Sequence, residues 1–222
     1  MRTECAGQKV YGDRGQRQQA EQHQAVTAEL AAQLLERDAG DARFAEILLV
    51  GEINPYDADP RHALYHEPER SAGGRLCRLV CELRPSTYLA MHRANLCTEK
   101  WSAPAARARA ERLAGAVTPS TPWRVIVLLG RKVAGAFEQA LRSPAGALQP
   151  FESYTHDASG LRLLCLPHPS GLNREWNVPG AFERARAALR EVAPAIPWGE
   201  ATASYKIKMP PTEPHDAGGY RQ

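Results

Sequence analysis

The feature that most constrains the fold is a series of four short strand-like runs separated by sequence with helical periodicity. Glu46 to Gly51 (EILLVG), Arg124 to Gly130 (RVIVLLG) and Leu161 to Leu166 (LRLLCL) are almost wholly apolar, and each stops at glycine or just before proline. Uninterrupted apolarity of that length belongs to a strand covered on both faces. Tyr88 to Leu96 is a more mixed run that reads as the remaining strand. Between them, Gly73–Leu83, Ala103–Ala114, Arg131–Leu141 and Pro179–Val192 have helical patterns. Ser102 is placed to cap the second of these, with Pro104 in its first turn. Upstream, Ala25–Arg37 sets Val26, Leu30, Leu34 and Leu35 on one helical face. Strands alternating with helices predict a three-layer α/β/α sandwich around a central four-stranded, mostly parallel sheet.

A chain of 222 residues suits one such domain. The expected division is a disordered, Gln-rich segment over 1–24, a folded domain over 25–196 and a flexible extension over 197–222. No apolar run is long enough to span a bilayer, and the first residues lack the apolar core of a secretory leader. The expectation is therefore a cytoplasmic, nucleoid-associated monomer without a membrane partner. The net charge of +3 does not by itself select or exclude a polyanion. The five cysteines have no disulfide-framework spacing and read as reduced, packed thiols.

In parallel α/β sheets, ligands gather at the carboxyl ends of the strands. Two strand ends here carry polar, proline-containing sequence: GEINPYDADP after the first strand and PHPSGLNREWN after the last. Asn54 precedes Pro55, which favours an extended backbone and aims the amide into the crevice, where its oxygen can orient a water molecule. Taken alone, this Asn-Pro also reads as an ordinary turn. His168 leads a Pro-Ser-Gly loop and can present a neutral imidazole N–H to a developing anion. Ser170 and the backbone N–H groups of Ser170 and Gly171 are placed to bind phosphate. Leu172, at the tip of a polar loop, has no obvious core to enter and suits a wedge pushed into a base stack.

Together, Gly51-Glu52-Ile53-Asn54-Pro55-Tyr56 and His168-Pro169-Ser170-Gly171-Leu172-Asn173 resemble the first and last motifs of the uracil-DNA glycosylase superfamily. The first looks like a hybrid, with the Asn of the mismatch-specific and single-strand-selective branches and the Tyr of the main uracil branch. The last departs by Gly171 where proline is usual. Arg93-Ala94-Asn95-Leu96-Cys97 is similar to the family's base-reading element, although an isolated Asn at a strand end is otherwise a turn or cap residue. The resemblance spans Ile47 to about Asn177 and implies a DNA glycosylase that hydrolyses the N-glycosidic bond of uracil or a modified pyrimidine flipped out of DNA. It implies Asn54 and His168 as catalytic residues, with Ile53, Tyr56, Asn95 and Tyr65 around the base. Ser170, Gly171, Leu172, Asn173, Arg174, Arg131 and Lys132 are the implied DNA contacts. Some relatives carry a four-cysteine iron–sulfur cluster, but the spacing here does not match one, and no cofactor or metal is expected.

Three features bear on rival readings. The 57–75 segment is longer and more charged than the family's loop and reads as solvated, so a bulkier base than uracil is admissible. The Asn in place of an acidic residue leaves open a protein that binds DNA or a modified base without cutting. His62, His66 and His168 around a metal would make a different hydrolase. Arg107, Arg109 and Arg112 read as the solvated face of a helix, with DNA-backbone contact as the alternative. Trp176 reads as packing beneath the His168 loop.

Overall fold

The computed structural model describes residues 44, 46–54, 59–117, 123–144, 146–157 and 159–199. The expected helix over Ala25–Arg37, the base-wall candidate Tyr56 and the chain beyond 199 lie outside the described residues. The architecture is the expected α/β sandwich with one strand more than the sequence suggested. The sheet holds β1 (Ile47–Ile53), β2 (His92–Cys97), β3 (Val125–Leu129), β4 (Ser153–His156) and β5 (Leu161–Leu166). Its spatial order is β2-β1-β3-β5-β4. The first four in that order are parallel, and β4 closes one side antiparallel to β5. The extra strand escaped the periodicity argument because it is a polar edge strand: Ser153 and Thr155 are exposed, and Tyr154 and His156 are only half-buried.

Alternation along β1 explains the three layers. Ile47 and Leu49 join one core and Leu48 and Val50 the other, all fully buried. The first core meets α1 (Ala72–Arg75), its π-helical continuation (Leu76–Val80), α2 (Pro85–Leu89) and α5 (Ala181–Val192). The second meets α3 (Ala103–Gly115) and α4 (Arg131–Leu141). The helical stretch expected over Gly73–Leu83 is thus a short α-helix that widens into a π-turn. The strand expected from Tyr88 begins only at His92, because Pro85 at a helical first turn starts α2 and carries Tyr88 into it.

Two further expectations are corrected. The folded unit runs past 196: Trp198 is buried, its indole N–H donates to the Ala193 carbonyl at 2.8 Å, and the Gly199 N–H donates to the Cys81 carbonyl at 2.9 Å. The described part of the 57–75 segment is not a solvated loop. Ala63, Leu64 and His66 are buried, and the Tyr88 hydroxyl donates to the Leu64 carbonyl at 2.8 Å. The buried Arg93 guanidinium fastens the same segment by donating to the carbonyl of Ala63 at 3.2 Å, and to those of Tyr88, Leu89 and Met91. The charged composition hid this packing, since the Tyr88 hydroxyl and the Arg93 guanidinium that hold the segment bond to backbone carbonyls, which no side-chain pattern reveals. Cys77, Cys81, Cys97 and Cys165 are buried free thiols; burial pushes Cys77 up to about 11 and Cys165 to about 12. Among the described residues no helix is long and apolar enough to cross a membrane.

Gly73 shows how tightly α1 lies on this segment. A Cβ there would fall 2.1 Å from the Tyr65 carbonyl oxygen and 2.4 Å from the Leu64 carbonyl carbon, both backbone atoms that cannot swing away. In the middle of α4, a Cβ on Gly135 would meet nothing within 4 Å. Gly73→Ala is therefore expected to cost about 3 kcal/mol or more. Gly135→Ala should stabilise by about 0.5–1 kcal/mol through helix propensity. Urea unfolding of the two variants, followed by far-UV circular dichroism, checks the opposite signs.

Candidate functional site at the carboxyl edge of the sheet

Parallel pairing brings the ends of β1, β2, β3 and β5 to one edge. Gly51 pairs with Asn95 across β1 and β2, and Leu129 with Leu166 across β3 and β5. Two groups of polar residues form there, on either side of β1.

On the β2 side, Ile53, Asn54, Tyr65 and Asn95 line a small cavity of about 80 Å³, with His62 and Gly73 at its margin. Asn54 is buried; its side-chain N–H donates to the Asp59 carbonyl at 3.3 Å, and its backbone N–H reaches the Cys97 carbonyl at 3.4 Å. This bond fixes the amide plane and makes Oδ1 the acceptor end. Asn95 lies flat against Gly51: a Cβ on Gly51 would come 2.3 Å from Asn95 Oδ1. That Oδ1 is buried and accepts no hydrogen bond among the described residues. An orphaned buried acceptor costs roughly 1–3 kcal/mol, so this oxygen is suited to a ligand N–H. Tyr65 is at the rim, its ring edge-on to His66 at 4.6 Å and to His62 at 5.8 Å.

On the β3 and β5 side, His168 sits against Gly130. Gly130 has φ +99°, and a Cβ there would lie 3.0 Å from the His168 Cβ and 3.3 Å from Glu52 Oε1. Only glycine permits this approach at that backbone angle. Glu52, Lys132, His168 and Asn173 border a cavity of about 250 Å³. The Lys132 ammonium pairs with Glu52 at 3.2 Å and stands 5.7 Å from the centre of the Trp101 ring. The Ser170 backbone N–H donates to His168 Nδ1 at 3.3 Å. Nδ1 is therefore the acceptor, which leaves the proton of the neutral ring on Nε2. Burial lowers the imidazole pKa, the Glu52 carboxylate opposes that shift, and Lys132 adds to it.

The loop after His168 is built to hold that ring. The His168 carbonyl accepts from the Asn173 side chain at 3.2 Å and from the Trp176 indole at 2.9 Å. Trp176 is buried beneath the loop and stacks on Phe182 at 5.1 Å. Arg75 reaches across from α1 to the Pro169 carbonyl at 2.9 Å.

The expected phosphate and DNA contacts divide accordingly. The Ser170 N–H, expected to bind phosphate, donates instead to the His168 ring. Asn173 uses both ends of its amide internally, since its oxygen also caps Glu175 N–H at 3.0 Å. One Arg131 guanidinium nitrogen is held by the Leu148 carbonyl at 2.6 Å. Lys132 faces Glu52. Gly171, Leu172 and Arg174 are exposed, and Leu172, at 93%, is the most exposed large apolar side chain described.

His62 and His66 flank Tyr65, whereas His168 borders the other cavity, so the three histidines are not brought together. Among the described residues no group of three His, Cys, Asp or Glu side chains is arranged to hold a metal ion. The sequence reading passed over Glu52 and Arg75. Glu52 lay inside the first motif, and its position two residues before Asn54 was the available signal. Nothing local marks Arg75, whose partner is 94 positions away. No protein-family profile matches the chain, and a search of curated proteins returns no significant match.

The electrostatics around His168 have a direct test. Glu52→Gln removes the group that raises its pKa and should lower its titration midpoint further; Lys132→Met should raise it. The Hε1 chemical shift of His168 against pH measures both. The Ser170 amide should shift with the same midpoint, because protonating Nδ1 sets two donors face to face. The depressed pKa also fixes a sign for stability: the unfolded chain takes up this proton at higher pH than the folded one. His168 therefore contributes a loss of stability as pH falls through its unfolded value.

Proposed function

We propose that the chain is a monofunctional DNA glycosylase acting on uracil or a modified pyrimidine extruded from DNA, leaving an abasic site. The observation that carries the reading is the state of His168: a neutral ring, with Nδ1 occupied by Ser170 N–H and its remaining proton on Nε2. A fixed neutral donor stabilises an anionic leaving base much as an oxyanion hole stabilises an alkoxide. In the proposed reaction the C1′–N bond breaks with its electron pair going to the base. Water adds to C1′, and its proton ends on solvent or the departed base.

Asn95 supports base recognition as a residue that lines the pocket and carries a buried acceptor with no partner among the described residues. Asn54, with its amide plane held by Asp59, is the residue that orients the water. As an amide it is a poor base, so the chemistry should be slower than with a carboxylate there. Leu172 suits the role of the wedge that fills the gap left by the flipped nucleotide. In this reading the protein works as a monomer on nucleoid DNA.

A second reading, recognition of a modified base without cleavage, is favoured by one observation. Asn54 and His168 border different cavities, on opposite sides of β1.

An assay of base release from oligonucleotides bearing uracil, 5-substituted uracils, modified cytosines and hypoxanthine separates the two. Cleavage of at least one, reduced about 10²–10³-fold in His168→Ala and about 10²-fold in Asn54→Ala, is the expected result. Tight, salt-dependent binding with no product after prolonged incubation would instead establish the second reading.

A further inference from the structure

A cavity of about 550 Å³ lies beside the base pocket rather than in it, between edge strand β2 and helix α3. Ala105, Arg109 and Arg112 line it from α3, Ser102 from the residue before that helix, and Asn54 and Asn95 from the strand ends. Of the three arginines expected on a solvated helix face, only Arg107 behaves that way, exposed and paired with Glu111 at 3.0 Å. Arg109 and Arg112 are half-buried, and neither side chain forms an ion pair or hydrogen bond among the described residues. The Nε atom of each is buried with no partner.

Two guanidinium groups three residues apart on one helix face repel each other. Arg109 shows the strain, its pKa lowered first by burial and then by Arg112. Two half-buried like charges side by side, each with a buried Nε–H that meets no acceptor, make a place suited to an anion. The planar fork of arginine fits a phosphate oxygen pair better than it fits a halide or a single carboxylate oxygen. Lys100 and Glu99, both exposed, line the same cavity and offset each other in charge, while Asp59 there is paired with Arg61 at 2.7 Å.

We propose that Arg109 and Arg112 form a phosphate-binding subsite that holds the phosphate of the nucleotide whose base enters beside Asn95. Because Asn54 and Asn95 border both this cavity and the base pocket, base and phosphate of one nucleotide occupy adjoining spaces. That the phosphate belongs to a DNA strand rests on the glycosylase reading; the subsite itself does not. A phosphodiester and the terminal phosphate of a free nucleotide offer the same chemistry, and the experiment separates them.

Full-length protein and the Arg109→Gln/Arg112→Gln double variant are titrated with inorganic phosphate, deoxyuridine, deoxyuridine monophosphate and a fluorescent uracil-containing single strand over a range of salt. The outer-face Arg107→Gln variant is the control. Expected for the double variant is at least tenfold weaker strand binding, with the slope of log K against log salt shallower by about 0.7, one phosphate contact. Deoxyuridine monophosphate should bind wild type more tightly than deoxyuridine, and that preference should vanish in the double variant. Thermal melts should show phosphate stabilising wild type alone. With no ligand the double variant should be at least as stable as wild type, since it removes a repulsion and no partner. A lower melting temperature would point to a structural role and count against the proposal. Mononucleotide binding that depends on both arginines, without any strand binding, would keep the subsite and sink the DNA reading. The subsite is overturned if no phosphate-bearing probe binds wild type, or if the double variant binds them all as well as wild type does.

Discussion

The parallel hydrogen-bonded register of β1, with β2 on one side and β3 on the other, is the constraint from which the rest follows. Pairing Gly51 with Asn95 sets the one residue without a side chain opposite the one whose amide needs its space. Side chains alternate along a strand, so a slip of one residue would bring Glu52 to that position and turn Gly51 to the other face. The same register carries Glu52 toward α4, where Lys132 meets it, and through β3 sets Gly130 against His168. Two glycines at strand ends thus admit the two polar side chains on which the proposed chemistry depends.

The edge is electrically divided by β1. On the His168 side a carboxylate and an ammonium offset each other, and a half-buried ring accepts a backbone N–H at Nδ1. This arrangement donates a hydrogen bond without presenting a full charge, which suits an anion that exists only in passing. On the β2 side the small cavity is lined by two amides, Tyr65 and His62, and Arg109 and Arg112 lie beyond it. A permanently charged ligand group and a transiently charged one would therefore meet different surroundings. The π-turn and α1 hold the two sides in fixed relation, since Gly73 lies on the Tyr65 segment while Arg75 anchors the His168 loop.

Much of this was legible from the chain. The apolar runs became β1, β3 and β5, and both polar strand ends lie at the carboxyl edge, because burial of a central strand leaves a direct compositional trace. The polar edge strand β4 left none, and neither did the start of β2, where a buried Arg93 interrupts the apolar pattern. The His168 loop was legible as a motif, but its inner logic was not. Asn173 and Ser170, read as DNA contacts, turn inward to the His168 carbonyl and ring.

The sequence by itself determined the class of fold, the polar strand ends at one edge of the sheet and the His168, Asn54, Asn95 and Leu172 side chains near them, because these depend on local pattern and side-chain chemistry. Only the tertiary structure decided which nitrogen of His168 keeps its proton, that the 63–66 segment is packed, and that Arg109 and Arg112 share a cavity with no ion pair to either guanidinium among the described residues. Each of those outcomes depends on which groups from distant parts of the chain are brought within hydrogen-bonding or Coulombic range. Periodicity specifies which face of an element is buried; it does not specify what that face will touch.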